Sequence, residues 1–277
     1  MLPFIAHNNL LINKEFFDFL KEVNLSDFES LMNFDSGYVL KKKRFRSILV
    51  MEHKNKTLYL KRHCLPWKER IKSILPWFKM EDARNEWNNI LLLNRLGFKT
   101  MTPVAFGEKK RLLLPYLSLT LTENIYNAEK LETYLPKHFS PPLNKNKIFK
   151  KRLLIRKIAA LARDFHDKGF NHQDFYLGHL FIRPPDETIF IIDLQRAHRR
   201  KGIRSHDVIK DLAQIAYSAQ SLNIFPRADF MRFACSYFER NRLNREDKKL
   251  IRKIISKAKR ISRHDAKLQE RKKVRIN

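Results

Sequence analysis

The chain has 277 residues, 43% of them hydrophobic, with 57 Lys+Arg against 29 Asp+Glu and a formal net charge of +28. That much apolar material excludes a disordered chain and suits one large domain or two small lobes. The charge implies anionic partners: nucleic acid, a phosphate-rich substrate or an anionic membrane surface. Cys64 and Cys235 are too few and too far apart for a disulfide framework or a zinc motif, and read as two buried free thiols in a reducing cytoplasm. No apolar run approaches the roughly 18 residues of a membrane span, and the N-terminus lacks the regions of a signal peptide. A cytoplasmic protein, soluble or peripheral, is expected.

Residues 13–34 carry Phe16, Phe17, Leu20, Leu25, Phe28, Leu31 and Met32 at fair helical spacing, which predicts two short leading helices. Residues 37–63 read as a three-stranded meander, with a basic first turn around Lys43, Arg44 and Arg46 and a second turn at Lys54-Asn55-Lys56. The third strand, T-L-Y-L-K, ends at Lys61. Next comes an insertion over 65–78 with two prolines and two tryptophans, suited to a lid, a membrane-facing loop or base stacking. Asp82–Leu96 has helical spacing, carries Glu86 and stops at Gly97. Two more strands fall in 101–125, with Pro115 arguing for a break in the second.

Glu129–His138 reads as a helix. Lys147–Gly169 is a long amphipathic helix whose Leu153, Leu154, Ile158, Leu161, Ala162 and Phe165 form an apolar face, with Gly169 as its stop. Leu180–Ile182 and Ile189–Ile192 flank the turn-rich R-P-P-D-E and make a hairpin. Asp174 lies just before the first strand and Asp193 just after the second, with His172 and His179 nearby. A general base next to a metal-binding carboxylate is what phosphoryl transfer from a nucleotide needs. Asp207–Ser221 is helical and carries Asp211, and Glu246–Asn277 reads as a basic helix pair.

His172-Gln173-Asp174 resembles the H-R-D of a protein-kinase catalytic loop, and Asp193-Leu194-Gln195 stands where D-F-G would. More closely, H-x-D-x-Y-L-x-H followed by I-D-L-x-R-A resembles the lipopolysaccharide core heptose kinases of Gram-negative bacteria. The likeness is dense over 172–197 and thinner, but ordered, from about residue 37 to about residue 220. It implies an α+β, two-lobed protein-kinase-like fold: residues 1–122 as a small antiparallel sheet with leading helices and one C-helix, 123–126 as the hinge, and 127–277 as a mainly helical lobe. It implies ATP and Mg²⁺ as cofactors. Lys61 would hold the α/β-phosphates and Glu86 would pair with it. The loop over the phosphates lacks G-x-G-x-x-G, so Lys43, Arg44 and Arg46 would supply charge in place of glycine's close backbone approach. Glu123 lies in the hinge that would meet the adenine. The bland alternative for each basic residue is a solvated charge or an edge-strand lysine.

Asp174 is then the expected general base and Asp193 the Mg²⁺ ligand. His179 stands five residues after the base, where protein kinases carry a metal-binding asparagine. The heptose kinases also carry histidine there, but imidazole suits hard Mg²⁺ poorly, which leaves its role open. His172 and Asp211 are expected as structural support, Asp211 by orienting the catalytic loop. Gln173 in place of arginine removes the usual sensor of activation-loop phosphorylation, and Leu194 and Gln195 put a D-F-G flip in doubt. No A-P-E follows Asp193. Instead Arg196, Arg199 and Arg200 lie in a basic segment, which would repel cationic aminoglycosides and attract an anionic glycolipid.

The reading is an ATP-dependent kinase of a sugar hydroxyl, heptose of the lipopolysaccharide inner core, acting peripherally on the cytoplasmic face of the inner membrane. The alternatives are another small-molecule or Kdo kinase of the same fold, a basic nucleic-acid-binding protein, or a pseudokinase. Simple phosphate binding has no need of acids at a basic site, so no nucleic-acid partner is expected.

Overall fold

The computed structural model describes residues 3–43, 45–66, 68, 71, 83–111 and 114–274. The chain divides into two compact units, Met1–Asn127 with Phe190–Arg196, and Ala128–Ile189 with Ala197–Asn277. Arg44 and most of the aromatic insertion at 65–78 lie outside the described residues.

The first unit opens with a hairpin absent from the expectations above, β1 (Phe4–His7) and β2 (Leu10–Asn13). Asn8 and Asn9 both have positive φ, the backbone a two-residue primed turn requires. The Asn13 side chain then caps α1 (Lys14–Glu22), and Asp27 caps α2 (Phe28–Asn33). β3 (Tyr38–Lys43), β4 (Arg46–His53) and β5 (Lys56–Cys64) form the expected meander, turning at Lys54 and Asn55. α3 (Ala83–Arg95) follows, and β6 (Thr102–Arg111) and β7 (Leu114–Glu123) complete the sheet in the order β1-β2-β6-β7-β5-β4-β3.

β7 runs through Pro115 without a break. The register instead shifts between Lys109 and Lys110 on the partner strand, so the missing N–H is absorbed by a local irregularity. Alternation along the strands gives the sheet two lined faces. Leu49, Leu58, Leu60, Leu119 and Leu121 pack with Phe16, Leu20, Phe28 and Leu31 of α1 and α2. On the other face Trp87 of α3 stacks on Phe106 of β6, with ring centroids 5.7 Å apart.

The second unit contains β8 (Glu129–Lys130), α4 (Leu131–Phe139), α5 (Lys145–Asp167), β9 (Phe170–Asn171) and β10 (Leu180–Arg183). β11 (Thr188–Ile191) leads the chain on to Phe190–Arg196. Then come β12 (His198–Arg199), α6 (Ser205–Ser221), α7 (Arg227–Tyr237) and α8 (Arg245–Val274). α8 is one helix of 30 residues rather than the expected pair. No glycine or proline interrupts 245–274, so nothing in that stretch breaks the backbone ladder. Among the described residues no helix is long and apolar enough to cross a membrane. The cysteines are not buried as expected: Cys64, at the end of β5, is exposed, and Cys235 on α7 is half-buried.

α5 buries Leu154, Ile155, Ile158, Ala162 and Phe165 and ends at Lys168. Gly169 follows with φ +83°, and its carbonyl accepts from Arg200 N at 2.9 Å. A Cβ built there would stand 2.1 Å from the Arg200 carbonyl oxygen. Only glycine fits, and this close approach sets where the chain enters His172–Asp174. Gly169→Ala is expected to lower stability by about 1–3 kcal/mol through backbone strain and that clash. A thermal melt checks it, and an unchanged midpoint would mean the turn relaxes freely.

Candidate active site

In the first unit a buried ion pair joins sheet to helix. Lys61 Nζ of β5 lies 2.5 Å from Glu86 Oε1 of α3, and Glu86 is fully buried. Thr120 of β7 donates to the second Glu86 oxygen at 3.4 Å. Lys61 Nζ also lies 3.4 Å from Asp193 Oδ1, and Arg46 Nη2 lies 3.7 Å from the same oxygen. Asp193 itself has φ +58°, a backbone angle uncommon for a residue with a side chain. α3 holds that backbone in place. Asn85 Nδ2 donates to the Gln195 carbonyl at 2.6 Å and Asn89 Nδ2 to the Leu194 carbonyl at 2.9 Å. One helix therefore fixes the lysine through Glu86 and the aspartate through Asn85 and Asn89. These asparagines are four apart, hence on one helix face, and that spacing was the signal for them in the sequence.

His63, two residues after Lys61, was not singled out in the sequence. It is buried, and its pKa is lowered to about 3, first by burial, then by the charges of Arg46 and Lys61, against the opposing pull of Asp193. It is a neutral imidazole at ordinary pH.

In the second unit α6 organises the loop after β9. Asp211 is fully buried and accepts from His172 N at 2.7 Å and Gln173 N at 2.9 Å. Gln214 accepts from Phe175 N at 2.9 Å and donates to the Gln173 carbonyl at 2.7 Å. Ser218 Oγ accepts from Leu177 N at 3.1 Å. Residues 211, 214 and 218 form one stripe of a helix, so a single face reads the backbone of the whole loop. The loop needs this, because Gln173 sits at φ +68°. Asp174 N donates to His172 Nδ1 at 3.3 Å, and the His172 ring stacks on Phe175, interplanar angle 3°. His179 Nδ1 bonds the Asp174 carbonyl at 2.6 Å.

The remaining expected residues have more varied settings. Lys43 is exposed on β3. Glu123 ends β7, 3.5 Å from Lys56. Arg196 ends a short 3-10 turn, Leu194–Arg196. Arg199 Nε donates to the Lys168 carbonyl at 3.1 Å and its guanidinium lies over Phe170, while Arg200 reaches toward Asp207 at 3.9 Å. Arg199 therefore already holds the end of α5.

Residues 32–237 match the family described as "Lipopolysaccharide kinase (Kdo/WaaP) family". The chain belongs to that family. It is 33% identical over 210 residues to the lipopolysaccharide core heptose(I) kinase WaaP of Escherichia coli, covering 73% of this chain and 78% of the relative. It is 30% identical over 214 residues to the protein of the same name from Pseudomonas aeruginosa, covering 74% and 78%. A solved structure titled "WaaP in complex with acyl carrier protein" superposes with a TM-score of 0.70 at 27% identity, covering 91% of this chain and 98% of that one. The fold class is therefore the expected α+β kinase-like one, and the family is one of phosphotransferases acting on a sugar hydroxyl.

Asp211→Ala would leave the His172 and Gln173 amides buried without an acceptor, a penalty of about 1–3 kcal/mol for each group. The variant is expected to melt earlier and to lose protection of those amides in hydrogen exchange. Wild-type exchange at the loop would show that Asp211 does not hold it.

Proposed function

We propose that this chain is an ATP-dependent kinase of the lipopolysaccharide inner core and that its acceptor is a heptose hydroxyl. The observation that carries this is the Lys61–Glu86 pair reaching Asp193, in a chain one-third identical to curated core heptose(I) kinases. The other kinase acceptors and the nucleic-acid reading have no observation of this kind behind them.

Lys61 and Arg46 face the triphosphate as cations, and Glu86 keeps the lysine extended toward it. The donor set fits Mg²⁺: Asp193 offers a hard carboxylate beside phosphate-binding cations, and Mg²⁺ takes one or two carboxylates together with substrate phosphates. Bound there, Mg²⁺ supplies neutralisation of the charge that builds on the phosphate oxygens. Asp174 accepts the proton of the acceptor hydroxyl as its oxygen attacks the γ-phosphorus. Asp211 fixes that loop's backbone. His179, through its short bond to the Asp174 carbonyl, fixes it from the other side, which suits imidazole better than Mg²⁺ ligation does. Lys43 adds exposed charge, and the chain near Glu123 meets the adenine with backbone groups.

The acceptor is an anionic glycolipid, and the net charge of +28 favours a peripheral place on an anionic membrane surface. Arg196, Arg199 and Arg200 are the arginines that would grip it, Arg199 while also holding the Lys168 carbonyl. We extend the partner of the solved relative, acyl carrier protein, to this chain as well. Supporting it is a cavity of about 480 Å³ in the second unit, walled by Ile155, Ile158, Leu212, Phe230 and Ile254 and suited to an acyl chain.

The test is phosphate transfer from ATP to purified heptose-containing core glycolipid, scored by mass, with and without acyl carrier protein. Wild-type protein should phosphorylate the glycolipid in preference to peptide or aminoglycoside and co-elute with the acylated carrier. Asp174→Asn should lower the rate about 10²–10⁴-fold while ATP still binds. Wild-type turnover by this variant would remove Asp174 from the mechanism, and faster transfer to an aminoglycoside would overturn the acceptor. Failure to co-elute would remove the carrier.

A further inference from the structure

A row of three buried polar atoms runs across the α3-facing side of the sheet. Arg46 stands directly opposite His63 in the β4–β5 register, and His63 directly opposite Ser118 in the β5–β7 register. Residues paired in this way put their side chains on one face, with Cβ atoms about 4.5–5.5 Å apart. It is the face of Lys61, two residues before His63, so the row runs beside the Lys61–Glu86–Asp193 cluster. Arg46 Nε, His63 Nε2 and Ser118 Oγ are each buried and find no hydrogen-bond partner among the described residues. Buried polar atoms are nearly always paired, so three adjacent orphans ask for a cause.

Arg46 Nε–H is a donor, and the nitrogen on its cross-strand neighbour accepts in one neutral tautomer. Burial and the adjacent cations keep His63 neutral, which rules out a clash of charges between the two. Arg46 Nη2 meanwhile lies 3.7 Å from Asp193 Oδ1, beyond hydrogen-bond length, on an oxygen that Lys61 also approaches. The guanidinium is thus weakly held at both ends. The sequence joining β3 and β4 carries no glycine, so it lacks the residue that gives a glycine-rich loop its close backbone approach to phosphates.

We propose that His63 is a positioning residue for Arg46: the two orphaned atoms are unbonded here, and when nucleotide binds Nε2 accepts from Arg46 Nε, a bond that aims the outer guanidinium nitrogens at the terminal phosphates. Arginine takes phosphate through those outer nitrogens, which leaves Nε to be held from behind. A side-chain pair on two strands then does what loop amides do elsewhere. The inference rests on the nucleotide-binding reading above.

The test is calorimetric binding of ATP and of AMP, which lacks the terminal phosphates, to the full-length protein. His63→Phe keeps the bulk and removes the acceptor, and should weaken ATP about tenfold while leaving AMP unchanged. His63→Gln, whose carbonyl accepts, should restore most of the loss. Arg46→Lys keeps the charge but removes Nε, and should match His63→Phe without disturbing the histidine. In an Arg46→Ala background His63→Phe should add nothing. Equal losses for ATP and AMP, additive losses with Arg46→Ala, or a Ser118→Ala variant that reproduces the effect would each overturn the proposal. Lys61→Ala separates the two readings. If it weakens ATP and the His63 and Arg46→Lys variants do not, only this inference falls; if wild-type protein binds no ATP, the nucleotide reading falls with it.

Discussion

The first unit depends on one buried ion pair. Glu86 has no exposure, so its charge is tolerable only because Lys61 meets it at 2.5 Å and Thr120 donates to its other oxygen. Breaking such a pair by removing one partner costs about 3–5 kcal/mol, because the remaining charge is stranded. Replacing both by apolar residues is often neutral for stability. Its retention here therefore points to what the lysine does beyond folding. The pair holds Nζ where it also approaches Asp193, and so couples β5, α3 and Phe190–Arg196 in one network.

The second unit solves a similar problem with neutral donors. A loop with Gln173 at positive φ leaves several amides turned inward, and α6 meets them with Asp211, Gln214 and Ser218. Upstream, Gly169 lets the chain pass within contact of Arg200 before the loop begins. The backbone of the residue proposed as base is thus fixed by the scaffold, through its N–H to His172 and its carbonyl to His179.

Most elements were legible from periodicity. The meander of β3–β5, the long α5 and the helix carrying Glu86 all follow from apolar spacing. The β1–β2 hairpin was missed although Asn8-Asn9 is a good primed-turn pair, because strands of four residues give too short a pattern. The apolar stripe of α8 does not by itself tell one helix from two; the lack of glycine and proline over 245–274 makes it one. Motif resemblance named Lys61, Glu86, Asp174, Asp193 and Asp211, whose residue types follow from their chemistry. It could not name Asn85, Asn89, Gln214 or His63. These act by hydrogen bonds that exist only once the strands and helices are paired, and their residue types are common everywhere. The arginines after Asp193 show the opposite case. Their charge was visible, but the sequence does not say that Arg199 is used to hold the Lys168 carbonyl.

The central claim is that the Lys61–Glu86 pair is kept for nucleotide handling. The most direct measurement is ATP affinity of Glu86→Gln, taken together with its thermal melt. Glutamine keeps the shape and a hydrogen bond but removes the charge that anchors Lys61. The account predicts a folded protein whose ATP affinity drops about tenfold or more, on the scale of a charged hydrogen bond. A folded Glu86→Gln protein that binds ATP as tightly as the wild type would contradict it.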